Sequence, residues 1–354
     1  MNKISSLPQQ TPSVVDLAKI SERELLNLRI CDLPLNLEGT WLQECIQDLY
    51  QELEQRQLIF KPICYLADEW LTPEGEPVVG IPFYLAHPTL TRLEKKMMLE
   101  AEGETKEWCM KLLRHETGHA IRYAYELHKE KKWQEIFGSP DQEYPETYRF
   151  KLYSKNYVRH LEGSYAQYHP EEDFVETFAV WLTPHLDWQK QYQGWKAIQK
   201  LNYVDHVMHM IKGKPPLVKK GRKFWHYRTL KVTLENFYKK KKYYLAEDFP
   251  DFHDDNLKKI FAQKEQPEEG LLATVFIKKY KKKIIHTVSN WTGEKKYIIH
   301  DVLKAIYQRC RALKLICFET ESVTLLNILT YTTTLIMNYI YTGWYRGERK
   351  RRKK

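Results

Sequence analysis

Between positions 105 and 128 apolar residues recur three and four apart, with Trp108, Leu112, His115 and His119 on one side of a helical wheel and Leu113, Ala120 and Ala124 on another. A stretch that is apolar on more than one side predicts a buried helix. A second helix is predicted to begin at Pro170. Proline suits a first helical turn, Glu171, Glu172 and Asp173 favour the positive end of the helix dipole, and Pro184 closes the element. Upstream, 58–70 and 78–88 are rich in β-branched and aromatic residues and flank the turn TPEGEP, which predicts neighbouring strands. Further along, 224–238 and 271–291 read as strands or hairpins on the same compositional ground. A helix from 294 to about 315 and an uncharged helix over 322–345 follow. No internal repeat interrupts this order.

Length and charge divide the pattern in two. A chain of 354 residues, 43% hydrophobic, holds enough apolar material for two packed domains. From position 219 onward there are 31 basic and 14 acidic residues, whereas the preceding part holds 25 basic and 32 acidic. The stretch GKPPLVKKGRK, 213–223, combines glycine, paired prolines and basic residues where the balance changes sign, and predicts the boundary there. The expected organisation is a polar N-terminal tail over 1–20, a first domain over 21–215 and a basic α+β accessory domain over 220–354.

The uncharged segment 322–345 is followed by RGERKRRKK, the flank expected of a membrane helix, but it contains six threonines together with Asn327 and Asn338. A spanning helix needs roughly 20 predominantly apolar residues, so a packed helix and no membrane span are expected. The first twenty positions lack the apolar run of roughly 7–15 residues that a secretion signal requires. Six cysteines without a CxxC pair suggest neither a disulfide scaffold nor a cysteine zinc knuckle. A reducing, cytoplasmic setting is the expectation.

The chemistry enters with LLRHETGHAI. On a helix, His115 and His119 project from the same side and can offer two imidazoles to one tetrahedral zinc, while Glu116 points toward water at the open position. A third ligand is needed. Glu172 and Glu176, four apart on the second helix, would both face the interior with Val175 and Ala179. Uncompensated charge is expensive there, and a metal would compensate it. One carboxylate could bind the metal while the other orients a ligand histidine. Glu172 is the favoured ligand on this logic, with Glu176, Glu171, Asp173 and His169 as alternatives. No extended HExxHxxGxxH continuation follows. Gly118, lacking a side chain, would let a strand or substrate approach the helix closely.

Four segments carry a resemblance: WLTPEGEPVVGIPFYLAHPTLTRLEKKMMLEAEG, EWCMKLLRHETGHAIRYAYELH, FGSPDQEYPETY and YAQYHPEEDFVETFAVWLTP. Over about 55–215 the chain resembles the bacterial zinc-binding metallopeptidases of the gluzincin type, while the C-terminal third resembles no domain. The resemblance implies an α+β zincin-like domain with a small mixed sheet and an active-site helix. It implies zinc held by His115, His119 and Glu172, with Glu116 as general base and Glu176 behind the ligands. Tyr165, seven residues before Glu172, is similar to the tyrosine that lethal-factor-type toxins place near the substrate carbonyl, with Tyr168 or His160 as alternatives. Where thermolysin-like chains carry asparagine before the ligand glutamate, this one has Glu171. The implied reaction is metal-assisted amide hydrolysis of a peptide or protein, in which Glu116 takes a proton from a water acidified by zinc. The rival expectation is a latent zincin scaffold that binds protein or, through its basic C-terminal domain, nucleic acid.

Overall fold

The computed structural model describes residues 16–144, 151, 154–243, 253–263 and 270–342. The first part runs α1 (Glu22–Asn27), α2 (Trp41–Gln55), β1 (Ile63–Ala67), β2 (Val78–Pro82), α3 (Pro88–Met98), α4 (Lys106–Ala124) and α5 (Lys131–Phe137). It continues with α6 (Pro170–Leu182), a single turn α7 (Trp188–Gln191), α8 (Ala197–Ile211) and α9 (Leu234–Tyr243). The remainder is α10 (Asp254–Ile260), β3 (Ala262–Gln263), α11 (Ala273–Thr292), α12 (Lys296–Ala312), β4 (Leu315–Ile316) and α13 (Glu321–Thr342).

Both helices predicted to carry the chemistry form, α6 where its end signals stand and α4 with its end at Ala124, short of the expected 128. The Thr105 hydroxyl accepts from the backbone N–H of Trp108 at the start of α4, a cap of the kind that contributes about 1 kcal/mol. At α6, Pro170 occupies the first turn and the His169 ring accepts from the Glu171 N–H. The helix α4 is wrapped on several sides, packing against α2, β2 and, over its longest contact, α6. Arg114 fixes it to α2 through two parallel hydrogen bonds to Glu52, at 2.8 and 2.7 Å, a fork that holds orientation as well as charge. On the far side of α6, an aromatic cluster of Trp133, Phe137, Phe174 and Tyr203 ties α5, α6 and α8 together.

The strands β1 and β2 are neighbours and run parallel, with Ile63 opposite Val78 and Ala67 opposite Pro82. The short connection between them folds back so that Leu71 exchanges hydrogen bonds with Gly80 on the other edge of β2. A Cβ on Gly80 would lie 2.7 Å from Leu71 Cδ2 and 2.9 Å from the Ala67 Cβ, which explains the glycine at that crossing. An antiparallel bridge from His226 to Ala67 covers the outer edge of β1.

Two expectations about the second half change. The segments 224–238 and 271–291 are not paired strands: in the first, isolated bridges at His226 and Thr233 flank a short turn before α9 begins at Leu234, and α11 covers nearly all of the second. In α11, Phe276, Ile277, Ile284, Ile285 and Val288 recur at helical spacing and are buried, so the 3.6-residue period outweighs the β-favouring composition. Among the described residues the C-terminal part is helical, with only the two-residue antiparallel ladder β3–β4. The described residues thus do not show the α+β arrangement that the composition suggested.

The cores also divide later than the charge does. Tyr227, Leu234 and Tyr238 belong to the first hydrophobic core, and the Tyr227 hydroxyl donates to Leu35 O at 2.6 Å. The second core begins with Leu257 and gathers α10 to α13, with Tyr297 packed against both. At the other end Leu17 is buried in the first core, while residues 1–15 of the expected polar tail lie outside the described residues. Among the described residues one helix, α13, is long and apolar enough to cross a membrane by length and composition, with 28% of its apolar window buried. Its Thr324, Ile328, Thr332, Leu335 and Ile336, on one face, are buried against the second core.

Candidate metal centre

The approach of α6 to α4 is what creates the site, and Gly118 permits it. A Cβ there would stand 3.0 Å from Val175 Cγ1 and 3.1 Å from the Val175 backbone. The absent side chain thus admits a neighbouring helix rather than a strand or substrate, which corrects the expectation. Across this contact His115 and His119 face Glu172. The Glu172 Oε2 atom lies 3.3 Å from His115 Nε2 and 3.4 Å from His119 Nε2. The three residues form a group whose ligand atoms all lie within 4.8 Å of one another.

The surrounding hydrogen bonds fix which atoms face inward. His115 Nδ1 meets Glu176 Oε1 at 2.9 Å, and the other Glu176 oxygen accepts from the Leu161 N–H at 2.8 Å. Glu176 is fully buried, so both of its oxygens are satisfied as a buried carboxylate requires. Acceptance by Glu176 puts the proton on Nδ1 and turns the Nε2 lone pair toward Glu172. The Glu172 Oε2 atom is buried and has no hydrogen-bond partner. A buried carboxylate oxygen left over between two imidazole nitrogens fits a bound cation. The 3.3–3.4 Å separations also match the edge of about 3.3 Å of a tetrahedron whose arms are those of zinc with nitrogen and oxygen ligands, roughly 2.0–2.1 Å.

Electrostatics point the same way. Burial acts to lower the His115 pKa, yet the carboxylates of Glu172 and Glu176 facing its ring outweigh it and hold the pKa well above the usual value. Burial acts to raise that of Glu172, and His119 and His115 together hold it well below the carboxylate range. The pocket thus favours positive charge at its centre. Glu116 is 7% exposed, and burial raises its carboxyl above the ordinary range against the opposing charges of His115 and His119. The Thr72 hydroxyl donates to the Glu116 carbonyl at 3.0 Å, anchoring the middle of α4 to the loop after β1.

Residues 92–211 match the family described as putative zinc-binding metallo-peptidase. The matched segment runs from within α3 to the end of α8 and so contains both α4 and α6. It covers roughly a third of the chain and is shorter at its start than the resemblance read from position 55. No curated protein and no solved structure matches the chain.

Within the matched segment the tyrosine alternatives separate. The Tyr165 ring centroid is 5.5 Å from that of His115, and Tyr168 stacks on Tyr165 at 5.9 Å. His160 is used differently: its Nε2 is 2.9 Å from Lys111 O, spending that nitrogen on the backbone of α4. The acids flanking Glu172 have their own cations. Glu171 accepts from Arg122 at 2.5 Å, and Asp173 from Lys200 at 2.5 Å. His169 caps α6, and its Nε2 is 2.6 Å from Gln142 O. Two participants were missed by sequence reasoning. Arg122, fully buried one turn after His119, is legible only once Glu171 is beside it. Tyr144 reaches the site from the loop after α5, its hydroxyl 3.0 Å from Glu172 Oε1.

Proposed function

We propose that the chain is a zinc-dependent peptidase in which His115, His119 and Glu172 hold the metal and Glu116 is the general base. The observation that carries this reading is the partnerless, buried Glu172 Oε2 between the two histidine nitrogens. A bound zinc ion would supply Lewis-acid polarisation of the substrate carbonyl and acidify the attacking water. The other work falls to side chains. Glu116 sits one residue after the first ligand on α4, and its raised pKa brings it nearer to that of a group exchanging protons around neutral pH. It takes the proton of the attacking water and delivers it to the amide nitrogen as the C–N bond breaks. Tyr165 is read as the donor to the carbonyl oxygen. Burial, followed by the charges of Glu172 and Glu116, pushes its phenol pKa up, so it keeps the proton it must share. Glu176 holds His115 in the tautomer that leaves Nε2 free.

A cytoplasmic setting agrees with six cysteines that are all free. The test is a mixed peptide library incubated with the full chain, with the chain after chelation, and with the chelated chain given zinc. Cleavage that is lost on chelation and restored by about one equivalent of metal is expected for this site. Cleavage that survives chelation contradicts the reading. Absence of cleavage in every arm favours the alternative, a latent scaffold that binds protein or nucleic acid.

A further inference from the structure

The Tyr144 hydroxyl lies 3.0 Å from Glu172 Oε1 and 3.2 Å from Glu171 Oε2. A phenol has one proton, so at any moment it serves one of these two carboxylates as donor. Glu171 already has a cation of its own, because the fully buried Arg122 donates to its other oxygen. The shorter contact and the unmet need are both at Glu172. The Tyr144 ring is held in place for this: it stacks on the His169 ring with centroids 3.9 Å apart and planes 12° apart, and His169 Nε2 is 2.6 Å from Gln142 O in the same loop. His169 also caps α6. The loop that carries Tyr144 is therefore pinned to the helix end that carries Glu172.

We infer that Tyr144 is a positioning residue that fixes Glu172 to present a single oxygen to the metal. With Oε1 taken by the phenol, Oε2 is the atom left buried without a partner and facing His115 and His119. Without the phenol the carboxylate could rotate about its last bond and offer either oxygen or both. Arg122 and Glu171 complete the brace, since a Glu171 lacking its guanidinium would compete for the same proton. This inference rests on the reading of Glu172 as a metal ligand, and no role for Tyr144 follows from the HExxH pattern.

The experiment compares the full chain with Tyr144→Phe, which keeps the ring on His169 and removes only the hydroxyl. Zinc affinity is measured by competition with a chelator, the geometry at the metal from the visible absorption of the cobalt(II)-loaded protein, and folding from the melting temperature of the metal-free protein. The expected result is a zinc Kd raised about 10–100-fold, the range found when an outer partner of a metal ligand is lost. It comes with an altered cobalt spectrum and an unchanged melting temperature. Native affinity with a native spectrum would overturn the inference, as would an affinity loss with the spectrum unchanged. A native chain that takes up neither metal overturns the ligand reading itself, which is a different failure.

Discussion

Replacing Glu116 by glutamine should abolish peptide cleavage while leaving the metal in place. The carboxylate is the only group in the HExxH turn assigned to proton transfer, and such a group contributes about 10²–10⁴-fold to the rate. Glutamine keeps the shape and loses the basicity. Glu116 is 7% exposed and its carboxyl is raised by burial, so removing its charge relieves a desolvation penalty rather than creating one. The variant should fold normally and carry the native metal content. The check is kcat/KM on a cleaved peptide beside elemental analysis of the same sample. Retention of native activity would mean that another group moves the proton. Loss of metal along with activity would place Glu116 among the ligands.

The second large effect concerns the two glutamates of α6. Glu172→Ala should lose the metal to the point where purified protein carries none. Glu176→Ala should weaken affinity about 10–100-fold, since Glu176 acts on the metal only through His115. The second variant also strands the Leu161 N–H that Glu176 accepts, so some loss of stability accompanies it. Metal content at matched zinc concentration separates the two. A native content in Glu172→Ala, with loss only in Glu176→Ala, would exchange their roles.

Much of this site could be read in the residues themselves because its signals are local. His115, Glu116 and His119 fall within one turn and a half of a helix, and the helix is announced by its two-sided apolar pattern. The α6 helix is announced by Pro170 and three acids, and the i, i+4 spacing of Glu172 and Glu176 puts both on its inner face. What could not be read depends on distant partners. Arg122 and Glu171 are 49 positions apart, and Tyr144 meets Glu172 across 28, from a loop without a repeating pattern. Gly118 announced a close approach without saying that Val175 was the neighbour.

The second half was misread where composition and period disagree. Residues such as Val275, Ile277, Tyr280, Ile284 and Ile285 favour strands by type, but Phe276, Tyr280, Ile284 and Val288 recur four apart, and the helix follows that spacing. The boundary at 213–223 tracked surface charge. Burial decides where a core ends, and the chain returns through Tyr227 and Leu234 to the first core before leaving it.

The central claim is that α4 and α6 together enclose one metal ion. Diffraction from crystals of the zinc-supplemented full chain, recorded on both sides of the zinc absorption edge, tests it most directly. The account predicts one strong anomalous peak about 2.0–2.2 Å from His115 Nε2, His119 Nε2 and a single oxygen of Glu172. An anomalous map without a peak between those three side chains, or with the ion held by Glu176 in place of Glu172, would contradict it.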